Sequence, residues 1–227
     1  MKKLVVLTGA GMSAESGIKT FRDADGLWEG HDVMEVATPE GFDRNPELVL
    51  EFYNQRRRQL KEVDPNQGHK NLTKLQEHFD VEIITQNVDD LHERAGSTKV
   101  LHLHGELRKV RSTINTSLIY EWEDDLVLGN TCEKGYQLRP HIVWFGEDVP
   151  MIERAAESVE KADILVIIGT SMQVYPAAGL INFCQPNTPI YFIDPRPNIE
   201  ESYYRNLTVI EDTAVGGTEK LLMKLID

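Results

Sequence analysis

Seven short runs rich in Leu, Ile and Val, at 4–8, 81–85, 100–103, 142–145, 164–169, 190–194 and 207–210, most constrain what this chain can fold into. Each is nearly continuous in apolar residues, the pattern of a strand buried on both faces of a parallel sheet. Helical periodicity fills 46–63, 68–79, 151–161, 177–184 and 217–226. Parallel neighbours need crossover connections, which helices supply, so the alternation predicts a doubly wound, Rossmann-type α/β sheet. Two stretches fall outside it. Segment 28–66 is helical with no strand candidate, and 109–137 is polar, with Glu121-Trp122-Glu123-Asp124-Asp125 at its centre. They read as a smaller inserted module, which leaves 1–27, 67–108 and 138–227 to the Rossmann-type domain. A cleft between the two, beyond the carboxyl ends of the strands, is the expected ligand site.

The first run leads directly into Thr8-Gly9-Ala10-Gly11-Met12-Ser13-Ala14. Gly9, Gly11 and Ala14 satisfy G-x-G-x-x-(G/A), the turn that lets backbone approach a pyrophosphate at the start of a helix. A plain tight turn would leave the same trace. No acidic residue closes a second strand about 20 positions later, as the ribose of an ordinary nicotinamide dehydrogenase requires. The chain runs instead through Ser16-Gly17-Ile18 to Phe21-Arg22-Asp23.

Charge narrows the partners. A net charge of −13 over 227 residues disfavours nucleic acid and favours cationic, lysine-rich segments, although most such charges only solvate a surface. No apolar run reaches the about 18 residues of a membrane span. Two cysteines, Cys132 and Cys184, make no disulfide framework and point to a reducing, cytoplasmic setting.

Five segments in order then name a family. Gly9-Ala10-Gly11-Met12-Ser13-Ala14-Glu15-Ser16-Gly17-Ile18-Lys19-Thr20-Phe21-Arg22 resembles the sirtuin signature GAGxSxxSGIxxFR. Thr85-Gln86-Asn87-Val88-Asp89-Asp90-Leu91-His92 resembles TQNxDxLH, and His104-Gly105-Glu106-Leu107 the catalytic HG element. Leu138-Arg139-Pro140-His141-Ile142-Val143-Trp144-Phe145-Gly146-Glu147 resembles LRPxxVWFGE. Gly169-Thr170-Ser171 with Val174 resembles GTSxxV.

The resemblance implies NAD-dependent removal of acyl groups from protein lysine, yielding nicotinamide and O-acyl-ADP-ribose. His104 is the implied general base, because imidazole titrates near neutrality. His102, two residues earlier, is read as structural. Asn87 and Asp89 are implied at the catalytic centre. Gln86, Asn87, Val88 and Asp89 would serve the ribose and the nicotinamide carboxamide, although Asn and Asp there also suit a helix N-cap. Gly9, Ala10, Gly11, Ser13, Glu15, Gly169, Thr170, Ser171, Val174, Asp194 and Ala214 complete the cofactor set. Phe21 would shield the reacting carbon, and Arg22 would contact phosphate. Val143 and Phe145 would flank an acyl-lysine tunnel. Trp144 between them reads as core packing.

In the helical insertion, Tyr53 and Arg56 are three apart and share a face. The resemblance reaches bacterial members that remove succinyl and malonyl groups through such a Tyr-x-x-Arg pair, with a small residue, here Ala37, enlarging the pocket. Guanidinium and phenol can together fix a carboxylate. A solvated basic face, Arg56-Arg57-Arg58, is the plainer reading. Those members also remove acetyl groups, so both activities are expected.

The chain departs from the family where a structural zinc is usual. Ser112 and Asn115 occupy the first pair of ligand positions and only Cys132 remains nearby, so four sulfur ligands cannot assemble and no zinc is expected. Ile114, Leu118, Ile119, Tyr120, Trp122, Leu126 and Leu128 are expected to form an apolar cluster instead. Asp194 stands where the family often has Asn. The rival readings are an ADP-ribosyltransferase or NAD hydrolase of the same family, a nicotinamide-dependent oxidoreductase, and a non-enzymatic NAD-binding regulator.

Overall fold

The computed structural model describes residues 1–19, 27, 28 and 30–226. Its strands are β1 (Lys3–Thr8), β2 (Leu27–Trp28), β3 (His31–Asp32), β4 (Asp80–Thr85), β5 (Val100–His102), β6 (Gly105–Ser112), β7 (Ile119–Glu121), β8 (Leu138–Ile142), β9 (Ile164–Ile168), β10 (Ile190–Ile193) and β11 (Leu207–Ile210). Its α-helices are α1 (Val33–Val36), α2 (Pro39–Arg44), α3 (Pro46–Leu60), α4 (Gln67–Leu75), α5 (Leu91–Arg94), α6 (Ile152–Glu160) and α7 (Ala214–Ile226).

Six strands form one parallel sheet in the order β11-β10-β9-β1-β4-β5. Side chains alternate across it. Val5, Leu7, Leu165 and Ile167 pack beneath α6 and the 3₁₀ segment Ala177–Phe183, whereas Leu4, Val6, Val166 and Ile168 pack beneath α4 and α7. The near-continuous apolar strands follow from this burial on both faces. The chain adds strands on one side of β1 as far as β5 and then on the other from β9. The β1–β9 boundary is therefore the switch point, and a crevice opens beyond its carboxyl ends.

The smaller module packs α1, α2 and α3 against an antiparallel sheet of order β7-β6-β8. Its own core includes Val36, Phe42, Phe52, Leu107, Val110 and Leu138. Asn45 and Pro46 start α3, with Asn45 Oδ1 accepting the Leu48 N–H at 3.2 Å.

Three expectations need correction. The run 142–145 is not a strand of the parallel sheet. Its first residue ends β8, pairing antiparallel with Gly105, and the chain then leaves the sheet. Val143 N–H donates to the His104 carbonyl and Phe145 N–H to that of Ala37, so apolar content here reflects packing between the modules. The glycine turn does not open an α-helix. Two 3₁₀ turns, Ala10–Met12 and Ala14–Ser16, follow, and Gly17 at φ +98° ends the second. The apolar cluster expected in place of zinc is only partly formed. Leu126 is buried, with Leu118, Tyr120 and Trp122 partly so, but Ile114, Ile119 and Leu128 are exposed. What ties the ribbon down there is polar. Arg57 Nε donates to the Leu107 carbonyl at 2.8 Å, and Asn54 exchanges two hydrogen bonds with the Leu126 backbone at 2.8 and 3.0 Å. Cys132 lies buried with Sγ 3.6 Å from Ser112 Oγ. Among the described residues no three His, Cys, Asp or Glu side chains gather as metal ligands.

Candidate active site

The crevice at the switch point is a cavity of about 730 Å³. Gly9, Ala10, Gly11, Ser13 and Glu15 form its wall after β1. Gln86, Asn87, Val88 and Asp89 follow β4, and Gly169, Thr170, Ser171 and Val174 follow β9. Asp194 and Ala214 close the sheet side. His104, Ala37, Tyr53, Val143 and Phe145 line it from the smaller module and its junction.

The glycines serve a backbone crossing. A Cβ on Gly9 would lie 2.8 Å from the Gly169 carbonyl oxygen, and one on Gly11 2.6 Å from Gly169 Cα. Gly169 itself has φ +60°. The N–H groups of Gly9 and Gly11 donate to the carbonyls of Ile168 and Gly169 at 3.0 and 2.8 Å. Their contribution is therefore a thin, fixed wall, not two free donors to a phosphate. Glu15 accepts from Thr213 Oγ1 at 3.1 Å and the Val215 N–H at 2.9 Å, tying this wall to the start of α7.

Beneath it runs a chain of fixed polarity. Asn87 Nδ2 donates to Ser13 Oγ at 3.1 Å, and Ser13 Oγ donates to Asp89 Oδ2 at 2.9 Å. Asp89 Oδ1 also accepts the Leu91 N–H at 3.2 Å, a turn across Asp90. Asp90 is the residue that caps α5 and does so without a side-chain hydrogen bond, so neither Asn87 nor Asp89 is the helix N-cap. Burial raises the Asp89 pKa while the Ser13 and Leu91 hydrogen bonds oppose the rise. Gln86 Nε2 donates to Thr170 Oγ1 at 3.1 Å, joining the β4 and β9 loops. Asp194, at the end of β10, is buried and accepts the Arg196 N–H at 2.9 Å.

His104 is half-buried in the cavity wall with Nδ1 3.0 Å from the Gln86 carbonyl oxygen. A carbonyl only accepts, so Nδ1 carries the proton and Nε2 keeps a lone pair. Burial lowers the His104 pKa against the effect of that hydrogen bond, so the ring is a neutral base at pH 7. His102 differs. Its Nδ1 faces the Asn87 carbonyl at 3.0 Å and its Nε2 the Glu93 carboxylate at 2.8 Å. Burial opposes its charge, yet the Glu93 partner holds its pKa above the usual histidine value.

Arg56 does not line the main cavity. Its guanidinium folds back along α3, with Nη1 donating to the Phe52 carbonyl at 2.5 Å and Cζ 3.3 Å from the Phe52 ring centroid. It borders a separate cavity of about 250 Å³ with Lys19, Gln55 and Gln59. Phe21 and Arg22 lie outside the described residues. Sequence reasoning missed Arg196 and Thr213, which line the cavity. Their place just past β10 and β11 was a usable signal, since ligands gather at such strand ends. It also assigned Trp144 to the core alone, whereas the indole is both buried and part of the cavity wall.

The residues fit a dinucleotide. The backbone crossing leaves a wall without side chains, and a buried carboxylate and amide sit at one end and Asp194 at the other. Comparison with known proteins agrees. The Sir2 family model matches residues 9–176. A Helicobacter pylori protein named NAD-dependent protein deacylase is 58% identical over 227 residues, covering 100% of this chain and 99% of the relative. A Bacteroides thetaiotaomicron protein of the same name is 55% identical over 232 residues, with the same coverage. A Sir2 homolog–NAD complex superimposes with TM-score 0.88 at 40% identity, covering 98% of this chain and 89% of that one. A mutant Sir2 homologue bound to ADP-ribose gives TM-score 0.89 at 39% identity, covering 98% and 91%. Matched by the family model from the glycine turn past the β9 loop, and more than half identical end to end to such relatives, this chain belongs to the Sir2 family, the sirtuins.

Proposed function

We propose that the protein is an NAD-dependent protein-lysine deacylase acting on acetyl groups and on the acidic acyl groups succinyl and malonyl. The observation that carries the reading is His104, a neutral imidazole whose Nδ1 is fixed by Gln86 and whose ring borders the cavity, held near the Asn87–Ser13–Asp89 chain. NAD, when bound, supplies the ribose carbon that takes the acyl oxygen as nicotinamide departs. Val88 and Asp89 would hold the nicotinamide carboxamide, with the Asp89 carboxylate fixed in orientation by Ser13 and Leu91 and Asn87 beside it on Ser13. His104 Nε2 is available to remove a proton from a ribose hydroxyl, a role worth roughly 10²–10⁴-fold. Val143 and Phe145 border the entry for the acyl-lysine. The acidic surface suits lysine-bearing protein segments, and the two thiols suit a cytoplasmic setting.

The acidic-acyl part rests on Tyr53 in the cavity wall and Arg56 one turn further along α3. Arg56 must swing away from the Phe52 ring to meet a carboxylate. Incubation with NAD and acetyl-, succinyl- or malonyl-lysine peptides, followed by mass analysis, tests both levels. Free lysine peptide with matching nicotinamide and O-acyl-ADP-ribose is expected. Nicotinamide release without peptide turnover would make it an NAD hydrolase, and acetyl turnover alone would remove the acidic-acyl assignment.

A further inference from the structure

His92 lines no part of the cavity, yet packing alone does not account for it. It lies on α5, 1% exposed, with its ring centroid 4.8 Å from that of His69. Burial, reinforced by His69 and His102, drives its pKa well below the usual histidine value, so the ring is neutral. A neutral imidazole has one donor nitrogen and one acceptor. Its Nε2 lies 3.1 Å from Thr8 Oγ1, and the Thr8 hydroxyl donates to Thr85 Oγ1 at 2.9 Å. Thr8 therefore offers His92 a lone pair, and Nε2 carries the proton. Nδ1 is buried without a hydrogen-bond partner among the described residues. A phenylalanine would fill the same space and strand no nitrogen, so the imidazole is explained by the Nε2–H and by what it holds.

What it holds is the loop after β4. Thr8 and Thr85 are register partners at the carboxyl ends of β1 and β4. The loop leaves Thr85 and carries Gln86, Asn87, Val88 and Asp89 along the cavity wall. It then enters α5, where His92 returns to Thr8 beside the point of departure. Thr85 Oγ1 also accepts the Asn87 N–H at 3.0 Å, so the hydroxyl pair joins both ends of the loop. The Asn87 carbonyl meets His102 Nδ1 at 3.0 Å, and the Asn87 side chain donates to Ser13. We propose that His92 is a positioning residue for NAD binding, a clasp that acts through Thr8 and Thr85 to fix Asn87 and Asp89 in the cavity wall. The Nε2–H makes Thr8 an acceptor and turns the Thr8 hydrogen toward Thr85, and each bond polarises the next. His92, Thr8, Thr85 and Asn87 are all buried, so water does not stand in for a broken link.

This rests on the reading that the loop from Gln86 to Asp89 binds NAD, and the experiment separates the two. Kd for NAD by calorimetry, KM for acetyl-lysine peptide at saturating NAD, and the urea midpoint are measured for wild type and five variants. These are His92→Phe, His92→Gln, Thr8→Val, the double variant His92→Phe/Thr8→Val, and Asn87→Ala. His92→Phe keeps a ring against His69 and removes the donor. Kd for NAD is expected to rise about three- to tenfold, the scale of one net hydrogen bond, while peptide KM and the midpoint stay near wild type. Glutamine carries an amide N–H of similar reach, so His92→Gln should return most of the affinity. Thr8→Val opens the clasp from its other end and strands the buried Nε2–H, so it should weaken NAD binding and lower stability. The double variant should bind NAD no worse than Thr8→Val alone and be more stable, because phenylalanine has no N–H to strand. Wild-type affinity in His92→Phe, an equal loss in His92→Gln, or a double loss equal to the product of the singles would overturn the clasp. So would a rise in peptide KM that matches the rise in Kd for NAD. If Asn87→Ala weakens NAD binding while His92→Phe does not, the cofactor reading of the loop survives and the clasp falls. Wild-type affinity in Asn87→Ala removes both.

Discussion

Arg57→Met asks how the ribbon of the smaller module stands without four metal ligands. Arg57 is 2% exposed and reaches from α3 across to the ribbon. Its Nε donates to the Leu107 carbonyl at 2.8 Å, and its Nη1 to Asn54 Oδ1 at 2.8 Å and to the Asp124 carbonyl at 3.3 Å. Burial lowers its pKa to about 10, with Asp125 opposing, so it is charged at pH 7. Methionine fills much of the same length but donates nothing. Leu107 is buried and loses its donor, at about 1–3 kcal/mol. Asn54 Oδ1 keeps the Leu126 N–H, and Asp124 is exposed, so its carbonyl can turn to water. Relief from desolvating the guanidinium offsets part of the loss. The net expectation is a destabilisation of about 1–2 kcal/mol. Urea unfolding followed by tryptophan fluorescence reads it, because Trp122 and Trp144 both pack in this module. Wild type should keep its midpoint in chelator, since the staple needs no zinc. A shift worth less than ~0.5 kcal/mol, the scale of an ordinary surface substitution, would refute the staple. So would chelator-induced unfolding of wild type.

The other expectations concern the site and its floor. His104→Ala should lower kcat by roughly 10²–10⁴-fold with the unfolding midpoint retained, and turnover at the wild-type rate would remove the base assignment. Because burial depresses the His104 pKa, wild-type activity should fall only as pH drops below the usual histidine range; an acid limb centred above pH 7 would contradict it. Gly11→Ala places a Cβ 2.6 Å from Gly169 Cα, backbone against backbone, so stability should drop by about 1–3 kcal/mol and KM for NAD should rise. An unaltered KM and midpoint would show that the crossing is not held tightly. His69 is 0% exposed, both its ring nitrogens are buried without hydrogen-bond partners among the described residues, and burial lowers its pKa to about 4. The unfolded chain therefore binds its proton first, and stability present above pH 6.5 should fall by roughly 3 kcal/mol on the way to pH 4. His69→Phe should flatten that dependence in urea melts at pH 7 and 5, and an unchanged slope would place the acid sensitivity elsewhere.

The parallel sheet was legible because its strands are buried on both faces, which leaves continuous apolar runs such as Ile164–Ile168. The same criterion failed at 142–145. Val143, Trp144 and Phe145 are apolar because they sit between modules and line a cavity, and periodicity cannot tell that from a strand. The helix expected after the glycine turn failed for a different reason. G-x-G-x-x-A specifies a close backbone approach, and here Gly169 makes that approach, so no long helix is required behind it. Most residues expected at the site meet in one cavity because they occupy strand ends, which sequence order alone locates. Arg56 does not, since helical spacing fixes the face of a Cα and not the rotamer of a long side chain.

His102 and His104 show how far residue type leaves chemistry open. Two apart, they read in sequence as neighbours on one strand face, one structural and one a base. In the fold β5 ends at His102, and the two rings grip consecutive carbonyls of the loop after β4, Asn87 and Gln86. Each Nδ1 must donate, so the difference lies wholly in the other nitrogen. Nε2 of His102 meets the Glu93 carboxylate, another acceptor, so that ring is held as a cation. Nε2 of His104 belongs to a ring in the cavity wall and stays a lone pair. Glu93 thus separates a clamp from a base, though it is part of no motif and does not line the cavity. Its removal by Glu93→Gln should let the His102 pKa fall, yet the neutral ring still donates from Nδ1 to the Asn87 carbonyl, as the neutral His104 ring does to Gln86. The pH profile of kcat/KM for NAD should therefore stay in place, with His104 itself unaltered. An alkaline limb that moves to lower pH would mean that the loop is held only by the charged ring.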